Sequence, residues 1–215
     1  MSVADYVWDE ILNELRIKPD YYIALGKFDE ALKLVNQALQ EKCTDLHGNL
    51  DPHSINILRY KVNVLERMKT PEAIAELVKT CDKILEFYSG DSTAWNARGM
   101  AFLAMNNIDE AKASFKKATE MMQSNFAAWQ NLGVVLSATG EYAEAIACFN
   151  RILEYSNPSD ARAIEAKNRA IEAAKQNGIE LPEQLLASPP PRVVTQGTGT
   201  MQPKHRGLFG GKKKK

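Results

Sequence analysis

Cys43, His47 and His53 fall within one short stretch together with Asp45 and Asp51, and thiol, imidazole and carboxylate are the side chains that ligate transition metals. Their spacing fits none of the usual zinc patterns, and no paired cysteine motif accompanies them. KCTDLHGNLDPH (42–53) therefore reads as a plain surface loop. No glycine-rich phosphate loop, metalloprotease helix motif or nucleophile elbow occurs anywhere in the chain. Asp109, Glu110 and Glu144 fall in the first turns of expected helices, where the helix dipole favours negative charge, so capping explains them better than catalysis. These residues point away from an enzyme and call for no metal or cofactor.

A second set of candidates lies at the C-terminus. Residues 188–215 hold seven Lys or Arg and no acid, against 20 basic and 27 acidic groups in residues 1–187, so a formal net charge of zero hides two unlike parts. Arg206, Leu208 and Phe209, followed by Lys212, Lys213, Lys214 and Lys215, join a cation run to a small apolar pair. Near an anionic membrane each such cation contributes about 1 kcal/mol, and the apolar pair could dip into the interface. The same charges attract nucleic acid or the acidic body of a neighbouring copy, and a charge run can equally be a solubilising end. Rich in Pro, Gly and Thr, this stretch cannot build a core and is expected to be disordered.

The elements that would position any binding site follow from one pattern written twice. Trp95, Arg98, Gly99, Phe102, Ala111, Phe115 and Ala118 recur 34 residues later as Trp129, Leu132, Gly133, Leu136, Ala145, Phe149 and Ile152. In each copy Trp, Gly and Phe or Leu step by four and three along one helix, and Ala, Phe and the next apolar residue step by four and three along a second. Asn106 and Gly140, between the two stripes, suit the left-handed conformation that ends a helix. Small Gly99, Gly133, Ala111 and Ala145 let the paired backbones approach, with Trp95, Trp129, Phe115 and Phe149 expected to fill the seam. One helical hairpin leaves apolar surface uncovered, so copies must stack.

A 34-residue period with this Trp, Gly, Ala and Phe spacing resembles the tetratricopeptide repeat family. The resemblance implies an all-α fold, a helical-hairpin repeat solenoid, with clear repeats at 92–125 and 126–159. Residues 1–41 and 54–90 read as degenerate repeats. YYIALGKFDEALKLVNQAL repeats the second half of the pattern, while Trp8 stands too far ahead of Gly26 for the first half. Ala4–Leu15 has helical spacing of its own. Residues 54–68 and 71–87 form an expected helical pair without the Trp and Gly positions. Asp51 or Ser54 is a candidate cap for the first of these and Thr70 with Pro71 starts the second, which is about one turn longer than the pattern. Residues 159–177, with Ala163, Ala166, Ala170, Ile171 and Ala174 on one side and charges on the other, suit a capping helix ended by Gly178, after which LPEQLL adds a short turn. The repeat domain thus spans 1–187 and the basic tail 188–215. No signal peptide or run of roughly 18 apolar residues is seen. With three scattered cysteines, Cys43, Cys81 and Cys148, a cytoplasmic protein with reduced thiols is expected.

In the family resembled, the first helices of successive pairs line a concave face, and positions 2, 5, 9 and 12 of each repeat contact ligand. Those positions are Thr93, Asn96, Met100 and Leu103, then Ala127, Gln130, Val134 and Ser137. Amide donors beside small or flexible apolar groups suit an extended peptide or helical segment of another protein. Relatives that clamp the carboxylate end of chaperone tails use lysine, asparagine and arginine on this face. Asn131 resembles one such position, but the two copies offer no basic residue there. An adaptor or scaffold holding a protein segment is the expectation, with self-association or a tail docked on membrane or nucleic acid as alternatives.

Overall fold

The computed structural model describes residues 20–42, 54–156 and 159–187. Among them every regular element is a helix. Residues 20–24 are helical and lead into α1 (Phe28–Lys42), α2 (Ile55–Met68), α3 (Pro71–Phe87), α4 (Ser92–Ala104), α5 (Ile108–Met121), α6 (Phe126–Ala138), α7 (Tyr142–Tyr155), α8 (Ala161–Gln176) and α9 (Glu183–Leu186). The expected helix at Ala4–Leu15, the Cys43–His53 loop and the basic tail lie outside the described residues.

Side-chain caps set four of the helix starts. Thr70 accepts from the Ala73 N–H, Asp91 from Ala94, Asn125 from Ala128, and Asp160 from Arg162 and Ala163, each satisfying an amide that the helix itself leaves unpaired. Ser54 departs from this expectation. Its backbone is already in the right-handed helical region, and its Oγ is buried without a partner among the described residues, so it does not cap α2. The turns inside the two clear hairpins behave as the residue types require: Asn106 has φ +58° and Gly140 φ +84°, and the N–H after each bonds back to the carbonyl of Phe102 or Leu136. α3 has 17 residues against 14 in α5 and α7, the extra turn inferred from its spacing.

From α1 to α8 each helix packs against the next, and α9 packs back on α7. The tightest points of the stack are the two glycines. A Cβ on Gly99 would lie 2.6 Å from Phe115 Cε1, and one on Gly133 would lie 2.7 Å from Phe149 Cε1, so each ring rests directly on the backbone of the partner helix. Both rings are fully buried. The tryptophans do something else. Trp95 and Trp129 are only half-buried, and their Nε1 groups donate to Ser89 O at 2.8 Å and Gln123 O at 3.0 Å, tying down the loop before each first helix. An indole needs a polar partner for its N–H, which the seam interior does not offer.

Cys81 and Cys148 are buried free thiols. Burial is the main cause that raises both, Cys81 far above the ordinary thiol range and Cys148 to about 12. Both should therefore resist iodoacetamide at pH 8 in the folded protein and label fully in denaturant, as read by peptide mass spectrometry; rapid native labelling of either would contradict the packing. Gly99→Ala should cost about 1–2 kcal/mol in denaturant unfolding, because overpacking by about 1–3 kcal/mol exceeds the helix-propensity gain of up to about 1 kcal/mol. Combined with Phe115→Leu, the loss should be smaller than the sum of the two single losses; strict additivity would mean the ring and the glycine do not press on each other.

Candidate functional site

The first helices α2, α4, α6 and α8 touch one another in series, more closely than the second helices α3, α5 and α7 touch theirs. That asymmetry puts the first helices on the inside of the curve, the surface a repeat stack offers to ligands. Polar links between hairpins hold them in register. Asp91 bonds the Ala94 N–H with Oδ1 while its Oδ2 receives Arg59 at 2.8 Å from Nε and 2.7 Å from Nη2, so one carboxylate caps α4 and ties it to α2. Asn125 caps α6 with Oδ1 and donates from Nδ2 to Ser92 Oγ at 2.7 Å; Ser92 in turn donates to the Ala118 carbonyl.

On α4 and α6 the inner face is almost free of charge. Across α4 and α6, each of 13 residues, Arg98 is the only ionic side chain. It is turned away into the hairpin seam, where Nε donates to Asp82 at 2.7 Å, Nη1 donates to Ser114 Oγ at 2.8 Å, and the guanidinium lies 4.6 Å from the Phe102 ring. No cation of α4 or α6 is left for a ligand carboxylate. What the face presents is apolar: Met100 is 42% exposed and Val134 48%, and on α8 Ile164, at the position of Gln130 in the 34-residue period, is 37% exposed. A helix that is greasy on its solvent side as well as its core side is unusual for a surface element.

The sequence-selected residues divide by environment. Thr93, Met100, Val134 and Ala127 are exposed, and Asn96 and Gln130 are half-buried. Leu103 is drawn partly into the core, and Ser137 has its Oγ buried without a partner among the described residues. Asn96 and Asn131, 35 residues apart, meet across α4 and α6, with Asn131 Nδ2 donating to Asn96 Oδ1 at 2.9 Å. The Asn96 NH2 can still donate and the Asn131 carbonyl can still accept. The pairing was not legible from spacing alone, nor was the place of Ile164. Arg206, Leu208, Phe209 and Lys212–Lys215 lie outside the described residues. Among the described residues no group of three or more His, Cys, Asp or Glu converges to hold a metal. No helix among them is long and apolar enough to cross a membrane.

Residues 102–169 match the tetratricopeptide repeat family model. That stretch carries the tetratricopeptide repeat pattern. The rat peptidyl-prolyl cis-trans isomerase FKBP4 is 27% identical over 131 residues, which is 59% of this chain but 28% of that protein's length. Among solved structures, MamA superposes with a TM-score of 0.63 at 18% identity, covering 83% of this chain and 87% of MamA. The TPR2AB domain of yeast Sti1, in complex with pHSP90, gives 0.51 at 17% identity, covering 76% of this chain and 71% of that one. At these identities the structural likeness concerns the fold, an all-α repeat solenoid.

Asp91→Ala removes the α4 cap and the partner of Arg59 together. It should lower unfolding stability by about 1–3 kcal/mol, most of it from the cap. Arg59→Ala should lose less than half as much in the same measurement, since Asp91 still caps. An equal loss in both variants would assign the effect to the ion pair instead.

Proposed function

We propose that this tetratricopeptide repeat protein is a non-enzymatic adaptor that holds a neutral, apolar peptide or helical segment of another protein on its inner face. The observation that carries the reading is the charge-free pair α4 and α6, with Met100 and Val134 exposed beside the bonded Asn96 and Asn131. Thr93, Leu103, Gln130 and Ser137 border the same strip. Backbone amides of an extended ligand would meet the asparagine pair, and its apolar side chains would meet the methionine and valine. Methionine suits this work because its unbranched side chain adapts to different partners. A fold shared with the Sti1 domain that binds pHSP90 supports a protein partner. The absence of a free cation on α4 and α6 argues against an acidic chain end as the ligand on this strip.

A second reading rests on the tail cations and gives the partner as anionic membrane or nucleic acid, bound through Arg206 and Lys212–Lys215 with the repeats as spacer. The two separate in one experiment. Affinity capture from native extract, followed by mass spectrometry, compares wild type, Met100→Asp/Val134→Asp, and a variant with Lys212–Lys215 changed to Ser. The inner-face reading expects a discrete protein that survives 0.5 M salt, persists in the serine variant and falls at least about tenfold in the aspartate variant, since a buried unpaired carboxylate costs several kcal/mol. Capture unchanged by the aspartates would sink that reading. Retention of only lipid or nucleic acid, lost with salt or with the lysines, would establish the second.

A further inference from the structure

The hairpin opened by α8 does not close as the two clear ones before it, α4–α5 and α6–α7, do. Thirty-four residues after Gly133 stands Lys167, and 34 after Phe149 stands Glu183, so the glycine and the ring that set the seam are both gone. α8 runs to 16 residues where α4 and α6 have 13, its left-handed exit comes late, at Gly178 with φ +67°, and among the described residues only the four-residue α9 follows.

What fills the place of a second helix is residues 181–187, and they sit there as a bound peptide would. Leu181 and Leu185, four apart, pack against the core cluster that α5 to α8 share. Three consecutive carbonyls are received by side-chain donors: Asn150 Nδ2 on Leu185 O at 3.0 Å, and Lys167 Nζ on Leu186 O at 3.1 Å and Ala187 O at 3.0 Å. Lys167 is 4% exposed, and neutral carbonyls are its partners. Asn150 Oδ1 is buried with no partner among the described residues, an acceptor the seated segment leaves unused. The hold is light. Pro182, Glu183, Gln184 and Leu186 face solvent, and both leucines are only partly buried.

We propose that this end of the stack is a second peptide-docking site, separate from the inner face, whose ligand is a protein C-terminus of pattern Leu-x-x-x-Leu-Leu-x, and that residues 181–187 occupy it in cis. The seated segment defines the chemistry: two leucines four apart for the seam, and backbone oxygens for Asn150 and Lys167. A chain that ended where Ala187 stands would place its α-carboxylate against the buried ammonium, and a charge-assisted bond is roughly twice as strong as one to a neutral carbonyl. The cis segment continues into Ser188 and supplies no carboxylate there, so it acts as a weak, tethered competitor.

The test uses a fluorescent peptide of the sequence of residues 181–187, made as the free acid and as the C-terminal amide. Polarisation is read against the full chain and against full-length Leu181→Asp/Leu185→Asp, with and without Lys167→Met. The displaced variant should bind the acid at least about tenfold tighter than wild type does, and about tenfold tighter than it binds the amide; Lys167→Met should erase the preference for the acid. Equal affinity for acid and amide, or no gain on displacement, overturns the proposal. Hydrogen exchange on unmodified protein guards against a variant that fails to fold. Amides at 183–187 should exchange at least about a hundredfold faster than those in the middle of α7, and exchange at the global rate would show a fixed cap.

Discussion

The contact on which the stack depends is a phenyl ring resting on a bare backbone. Phe115 on Gly99 and Phe149 on Gly133 hold the two helices of a hairpin nearer than any side chain at the glycine would allow. Closeness at that point fixes the angle at which Ala111, Ala118, Ala145 and Ile152 meet the facing helix, and all four are buried. Each hairpin then presents the next with nearly the same surface, so the repeat propagates by geometry and needs few specific bonds. The polar ties that do cross between hairpins, Arg59 to Asp91 and Asn125 to Ser92, join helix ends, where backbone groups lack helical partners, and leave the middles to packing.

A consequence falls on the inner face. Since glycine, alanine and leucine on one side of α4 and α6 do the packing, the opposite side is not needed for folding and would ordinarily be polar. Here it carries Met100 and Val134 half in water, with Arg98 withdrawn into the seam behind it. Exposed apolar area of this kind costs solubility and returns nothing to the folded state, which is the ground for the partner proposed to cover it. α8, one hairpin later, returns to Glu165, Arg169 and Glu172 on its exposed side, which confines the apolar strip mainly to two helices.

Much of this was legible in the sequence because it is periodic. Trp, Gly, Ala and Phe at 34-residue spacing gave the hairpins, and Asn106 and Gly140 marked turns that adopt positive φ. What stayed hidden was decided by contacts between residues distant along the chain. Ser54 looks like a cap by type, yet its backbone has already entered the helix. The tryptophans look like core by size, yet the need to satisfy an indole N–H places them at the loop edge. Asn96 and Asn131 were each selected for a different reason, and only the offset between α4 and α6 brings them together. Position 2, 5, 9 and 12 reasoning also treats Leu103 and Ser137 as groove residues, although both turn partly inward.

Lys167 shows why period alone misleads at the end of a repeat array. By type it belongs with the charged side of α8, beside Arg169 and Glu172, and by register it belongs in the seam. Register prevails, because α8 must lay Ala163, Ala166, Ala170 and Ala174 against α7, and Lys167 is carried inward with them. The stem can pack like a methionine, but the ammonium must be desolvated, and burial lowers its pKa below the ordinary lysine value. An ordinary next repeat would offer an aromatic ring there and nothing to accept those protons. A segment that turns its carbonyls toward α8 does so here, and Lys167 thereby favours a peptide-like closure over another regular hairpin.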